Sequence, residues 1–138
     1  MTTHQHTIEI QTRGRGTTEI TAEVARIVSA SGIGTGIAHV FVQHTGCSLV
    51  ITENADPSVR RDLETLATRW APDGDPTYRH NTESDDDMAA HARAVLTGSS
   101  VTVPVGGDGL LLGTWQGIYL WEHRTVQHTR SIVVTVVG

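Results

Sequence analysis

The sequence predicts an α+β fold: one compact domain over residues 1–138, with an antiparallel, sheet-rich, sandwich-like core and about three helices. Two kinds of pattern carry this. Apolar residues alternate at period two in at least six short segments, which is the pattern of strands with one buried face. They recur at helical spacing in three others, each bounded by capping or breaking residues. The helices are spread among the strands and the second half is dominated by strands, which favours antiparallel sheet over a regular βαβ repeat. At 138 residues one domain is the expectation, and a chain of this length can bury a core without disulfide staples.

The first strand is "HTIEIQT", which puts Ile8 and Ile10 on one side. "RGRG" is a turn. In "TTEITAEVARIVSASG" the residues Ile20, Val24, Ile27 and Val28 share a helix face, with Thr17 or Thr18 placed to cap and Gly32 to terminate. "IAHVFVQHT" alternates again: Val40, Val42 and His44 fall on one face, His39, Phe41 and Gln43 on the other. "CSLVITE" is the next strand. "NADPSVRRDLETLATRW" opens a helix with Asp56 at the N-cap and Pro57 at the first helical position. Its apolar stripe is Val59, Leu63, Leu66 and Trp70.

"APDGDPTYRHN" is a loop. "SDDDMAAHARAVLTG" is a third helix, ended by Gly98, with Met88, Ala92, Val95 and Leu96 as its expected buried face. Strand-like pieces follow: "SSVTVPV", "LLLGTW", "GIYLWEH" and "RSIVVTVV". "GGDG" between Val105 and Leu110 signals a hairpin turn.

Composition removes several functions. All ten basic residues are Arg, so Schiff-base and P-loop lysine chemistry are absent. The formal net charge is −5 and no basic stripe occurs, which argues against a nucleic-acid partner. The single cysteine, Cys47, excludes an intrachain disulfide. The start, "MTTHQHTIEI", has neither the charged nor the apolar region of a secretory signal, and no apolar run reaches membrane-spanning length. A soluble, cytoplasmic protein without a membrane partner is the expectation.

Three constellations can carry chemistry. In "RHNTESDDDMAAHARAV", Asp87 and His91 lie four residues apart on one helix face, within reach of one ion, and His80 can approach from the loop. The competing explanation is a helix N-terminus whose acids complement the dipole, and on this stretch alone it stands ahead. In "QHTGCSLVITENADP", His44 ends one strand, while Glu53 and Asn54 end the next, beside a helix start. A core histidine and a small buried cysteine are the plainer readings of His44 and Cys47. In "GIYLWEHR", Ile118, Leu120 and Glu122 share one face and Tyr119, Trp121 and His123 the other. Glu122, His123 and Arg124 thus gather at the end of an apolar strand.

The chain resembles the YjbQ-like family, whose members are often labelled secondary thiamine-phosphate synthase. The resemblance rests on "HTGCSLVITENADPSVRRDLE", "YRHNTESDDDMAAHARAVLTGSSVTVPV", "LGTWQGIYLWEHR" and the closing "RSIVVTVVG". It departs at Gly46-Cys47, where small residues such as Ser-Ala are expected, and at Ala89, where a Pro is expected. The resemblance implies a sheet-rich homotrimer and a pocket holding His44, Glu53, Asn54, His80, Asp86, Asp87, His91, Glu122, His123 and Arg124. It thereby turns the Asp-rich stretch from a cap into part of a site. The metal ligands expected on that basis are His44, His80, Asp87 and His91. His123, Glu122 and Glu53 become candidate catalytic groups. Arg124, Asn54 and Asp86 become candidate contacts to substrate or phosphate. A mixed histidine and carboxylate set suits Zn, Mn or Fe better than Mg alone. The implied reaction couples hydroxymethylpyrimidine diphosphate to thiazole phosphate and releases pyrophosphate. The alternatives are a metal-dependent hydrolase or phosphatase acting on another small phosphorylated metabolite, and a non-enzymatic trimeric scaffold.

Overall fold

The computed structural model describes residues 1–107 and 109–138. Among them, eight strands and three helices follow in the order β1 (Thr3–Gln11), β2 (Gly16–Glu19), α1 (Thr21–Ser31), β3 (Gly36–Val42), β4 (Cys47–Glu53), α2 (Pro57–Trp70), α3 (Asp85–Thr97), β5 (Ser100–Gly106), β6 (Gly109–Leu110), β7 (Gln116–Glu122) and β8 (Thr129–Val137). They form two sheets, one of order β1-β8-β3-β5-β6 and one of order β2-β7-β4. Every pairing is antiparallel. The expected α+β, sandwich-like architecture is present. No helix among the described residues is long and apolar enough to cross a membrane.

The core lies between the sheets. β3 contributes Ala38, Val40 and Val42, β8 contributes Ile132, Val134 and Val136, and β7 answers with Ile118 and Leu120. α1 closes the layer with Ile20, Val24, Ile27 and Val28. Each such Val, Ile or Leu side chain stabilises the fold by roughly 1.5–3 kcal/mol on full burial. Gly32 ends α1 in the left-handed region at φ 69°, a conformation that glycine adopts without the Cβ penalty. Thr17 and Thr18 are not its caps. They belong to β2 and pair with Trp121 and Leu120, because the free edge of β7 offers them ladder bonds that a cap cannot.

α2 begins as its sequence predicts, with the Asp56 side chain accepting from the Ser58 N–H at 2.9 Å. It lies on the outer side of the small sheet, where Arg60 stacks over the Tyr119 ring at 4.8 Å and Glu64 accepts from Trp121 Nε1 at 2.7 Å. β7 is therefore buried on both faces. The predicted stripe of α2 is only half covered, with Leu66 and Trp70 exposed.

α3 is rotated relative to the face its apolar residues predict. Val95 and Leu96 are 85 % and 63 % exposed, whereas Asp86, Asp87, Ala89, Ala90 and Arg93 are buried. Partners explain the reversal. Arg93 donates to the Ala71 carbonyl from Nε and Nη2 and to Glu64 from Nη1 at 3.0 Å, and Asp86 is captured as described below. A buried charge is tolerated when it is paired and hydrogen-bonded, and here the pairs outrank two aliphatic side chains.

The predicted strand "LLLGTW" shrinks to β6, since residues 111–115 form no ladder. The predicted "GGDG" turn includes Asp108, outside the described residues. On either side of it Val105 pairs with Leu110.

A candidate metal site beside an apolar cleft

The chain passes between the two sheets at one end of the sandwich. Residues 12–15 lead from β1 to β2, residues 43–46 from β3 to β4, and residues 123–128 from β7 to β8. These corners are stitched together: Gln43 N–H donates to Ser131 O, His123 N–H to Gly46 O, and Thr12 N–H to His128 O. Glu122 lies at their centre, almost wholly buried. It accepts from Thr12 Oγ1 at 2.8 Å, from Arg124 N–H at 3.1 Å, and twice from Arg130, at 2.8 and 2.6 Å. This bidentate pair and the added donors hold the Glu122 carboxyl below its usual range against the upward push of burial.

The first turn of α3 is fastened to the same end. Asp86 accepts from Thr125 N–H at 2.8 Å, from Thr125 Oγ1 at 3.2 Å, from Arg124 Nε at 3.1 Å and from the Ser84 hydroxyl. Burial opposes its charge, yet these donors hold the carboxyl well below the ordinary aspartate range. Arg124 also pairs through Nη1 with Asp87 Oδ1 at 2.9 Å. Gly46 makes room for both arginines, since a Cβ there would stand 3.1 Å from Arg130 Nη2 and 3.2 Å from Arg124 Cγ.

Asp87 keeps its other oxygen for two histidines. His80 Nε2–H donates to Oδ2 at 2.6 Å, and His91 Nε2 lies 3.7 Å from the same atom. The two rings meet edge to face with centroids 5.3 Å apart. One donor atom from each of His80, Asp87 and His91 falls within 4.8 Å of the others. Donors on a single zinc at bond lengths of about 2.1 Å stand roughly 3.4 Å apart, so the set fits one ion after a small withdrawal of His80, which is exposed and carried on a loop. Arg124 then orients the ligating carboxylate through its free oxygen.

Of the ten residues the resemblance assigns to a pocket, the structure gathers some and separates others. His80, Asp87 and His91 come together. His44 stands apart as a ligand: its Nε2 accepts from the Ser131 N–H at 2.9 Å, so that lone pair is occupied. Its Nδ1 lies 3.4 Å from Arg130 Nη1. Burial and Arg130 lower its pKa, leaving a neutral ring. Glu122 and His123, expected to be catalytic, are sealed inside. His123 is 0 % exposed, with Nε2 hydrogen-bonded to Ser48 Oγ at 2.8 Å and Nδ1 without a partner among the described residues. Burial drives its pKa down to about 3. Arg124 and Asp86, expected to meet a phosphate, spend their hydrogen bonds on each other and on the corner.

Glu53 and Asn54 lie at the far end of β4, about 20 Å from Cys47 at the strand rise of ~3.3 Å per residue. There Glu53 accepts from Asp56 N–H at 2.9 Å, and Asn54 donates toward the carbonyls of Thr114 and Gln116. An extended strand holds the two motifs apart within one chain.

A cleft of about 620 Å3 opens beside the cluster, lined by Phe41, Val42, His44, Cys47, His91 and Val95 among others. Cys47 is buried at its floor, and desolvation pushes the thiol up to about 12, which makes it a small apolar group and no nucleophile.

Sequence reasoning misses Arg130. Its signal is nevertheless there: in "RSIVVTVV" it shares parity with Ile132, Val134 and Val136, so a cation stands at a core-facing position and demands an internal partner.

The same sequence pattern and fold recur in known proteins. A sequence model described as UPF0047 protein YjbQ-like matches residues 6–138. A UPF0047 protein of Synechocystis sp. is 44% identical over 135 residues, covering 98% of this chain and 92% of its own. The UPF0047 protein YjbQ of Escherichia coli O157:H7 is 36% identical over 136 residues, 98% of each chain. A crystal structure from Sulfolobus solfataricus, described as a protein of unknown function, superposes with a TM-score of 0.86 at 28% identity and covers 99% of both chains. One from Thermus thermophilus, described as a conserved hypothetical protein, gives 0.85 at 31% identity over 96% of this chain and 99% of its own. Matched over nearly its whole length in sequence and in fold, the chain belongs to the UPF0047 (YjbQ-like) family.

Proposed function

We propose that the protein is a metal-assisted enzyme whose ion is held by His80, Asp87 and His91, with hydrolysis as its reaction class. The observation that carries this reading is that cluster of two imidazoles and a carboxylate, of which His91 also lines the cleft. Three protein ligands leave a position for water or substrate, as in catalytic zinc sites, whereas structural sites are closed by four. A bound Zn, Mn or Fe would act as a Lewis acid toward an oxygen of the substrate or of water. The chain supplies the rest. Arg124 fixes the Asp87 carboxylate, α3 fixes His91, and His80 is the ligand free to adjust.

The thiamine-phosphate coupling implied by the resemblance is the second reading, and an ion at this cluster favours it by providing charge for a departing pyrophosphate. Against it stands the engagement of Arg124 and Arg130 by carboxylates. We also propose a homotrimer. Exposed Trp70 and Leu96 share a hollow on the outer surface, and an unpartnered apolar patch suits a subunit interface better than water. In the non-enzymatic alternative the same ion would hold such a scaffold together.

Elemental analysis of the purified protein beside His91→Ala tests the reading. We expect about one transition-metal ion per chain in the parent and its loss in the variant, with the circular dichroism spectrum retained. A parent protein that stays metal-free after incubation with Zn, Mn and Fe(II) overturns the metal assignment. Turnover of pyrimidine diphosphate with thiazole phosphate, measured against a panel of esters, then separates transfer from hydrolysis.

A further inference from the structure

We infer that the molecule accepted at this site is uncharged, with an aliphatic or aromatic body seated between Phe41 and Val95 and one oxygen donor directed at the His91 end. The inference rests on the metal-site reading for the donor, and on the cleft alone for the body. Away from the ion itself, phosphate recognition draws on guanidinium groups, backbone N–H groups or a helix N-terminus. Of the arginines at this end of the sandwich, Arg130 is closed by two bonds to Glu122, Arg124 by Asp86 and Asp87, and Arg15 by Asp73 and the His123 carbonyl. None of these, nor Arg13, belongs to the lining.

The helix that walls the cleft opposes an anion at both ends. The cleft is lined by Ala94, Val95 and Gly98, the C-terminal turn of α3, where unpaired carbonyls carry partial negative charge. The N-terminus of α3, which would attract an anion, already carries Asp85, Asp86 and Asp87. Apart from His91, the remaining polar lining carries no formal charge: Gln43, Thr45 and Ser99 are neutral side chains, His44 has its ring nitrogen on a backbone N–H, and Cys47 is a protonated thiol. Phe41 and Val95 are 42 % and 85 % exposed, so the walls present apolar surface without a partner among the described residues. About 620 Å3 is within the range of small-molecule sites.

Two titrations followed by methyl NMR test this. On metal-free protein, benzamide is compared with phenyl phosphate and inorganic pyrophosphate. We expect benzamide to shift the Val42, Ala94 and Val95 methyl signals, phenyl phosphate to bind at least tenfold more weakly, and Val95→Glu to abolish the benzamide shifts. On metal-loaded protein, benzohydroxamate should bind at least tenfold more tightly than acetohydroxamate, with the gain lost in Val95→Glu. Phenyl phosphate or pyrophosphate binding more tightly than benzamide overturns the inference. Equal affinity of the two hydroxamates overturns it while leaving the metal reading standing. Benzamide binding in a protein that cannot be loaded sustains the apolar seat and sinks the metal reading. If benzamide does not bind and Val95→Glu instead converts an oligomer to monomers by light scattering, the surface is a subunit contact and the inference falls.

Discussion

Asp86 and Asp87 are neighbours in the sequence with separate roles. Asp86 spends its acceptor sites on Ser84, Arg124 and Thr125 and so docks α3 on the corner. Asp87 pairs one oxygen with Arg124 and presents the other to His80 and His91. His123 is a third case, a buried imidazole kept neutral with a pKa of about 3. An unfolded histidine titrates near 6.5, so between these values the unfolded chain binds the extra proton. Its contribution to stability is complete above pH ~6.5 and falls by up to about 1.4 kcal/mol per unit as pH drops toward 3. Urea midpoints at pH 7 and pH 5 should show this slope, and His123→Gln should reduce it by about one proton. Cys47, with its thiol near 12, should resist iodoacetamide at pH 8 in the native protein and react once urea unfolds it. Rapid native alkylation would mean that the floor of the cleft opens.

At the scale of elements, α3 is the instructive case. Its apolar periodicity points Val95 and Leu96 inward, yet the helix seats on Asp86, Ala90, Arg93 and Thr97, with Thr97 Oγ1 2.7 Å from Ser48 Oγ. Small residues allow this face to approach β4, so added volume there is resisted. Ala90→Val should cost about 1–3 kcal/mol in urea denaturation, while Leu96→Ser should stay within about 0.5 kcal/mol at protein concentrations where the chain is monomeric. The reverse order would mean that α3 turns its apolar face inward. α2 follows its own sequence more closely because its cap is local. The Asp56 side chain meets Ser58 N–H two residues on, and no distant group competes for it among the described residues.

The whole molecule depends on one buried carboxylate that ties two of the sheet-crossing corners to β8. Glu122 collects Thr12, Arg124 and Arg130 from three different segments. Glu122→Gln leaves the Arg130 guanidinium buried without its counter-charge, which costs roughly 3–5 kcal/mol for such pairs. We expect a matching fall in unfolding free energy. A loss below about 1 kcal/mol, the range of solvent-exposed pairs, would mean that water reaches Arg130. Because those corners also carry Arg124 and the seat of α3, the same variant should weaken retention of the metal proposed at His80, Asp87 and His91.

Periodicity and local spacing were enough to set the class of fold, the first strand over residues 6–12 and the last over 130–137, each inside or close to the bounds Thr3–Gln11 and Thr129–Val137, the cap at Asp56 and the stop at Gly32. Each of these rests on hydrogen bonds or contacts between residues a few positions apart, or on a repeat that can be counted along the chain. The same reasoning offers Asp87 and His91 as a pair, since four residues on a helix is a fixed distance. Folding in three dimensions was needed to turn Glu122 and His123 inward, to give Arg124 to two aspartates, and to place Glu53 a strand length from the histidines. It was needed as well to choose the buried face of α3. Each of these turns on a partner tens of residues away, and long-range pairing carries no period along the chain. An isolated charge at a core-facing position, such as Arg130, announces that a partner must exist; the fold alone says which one.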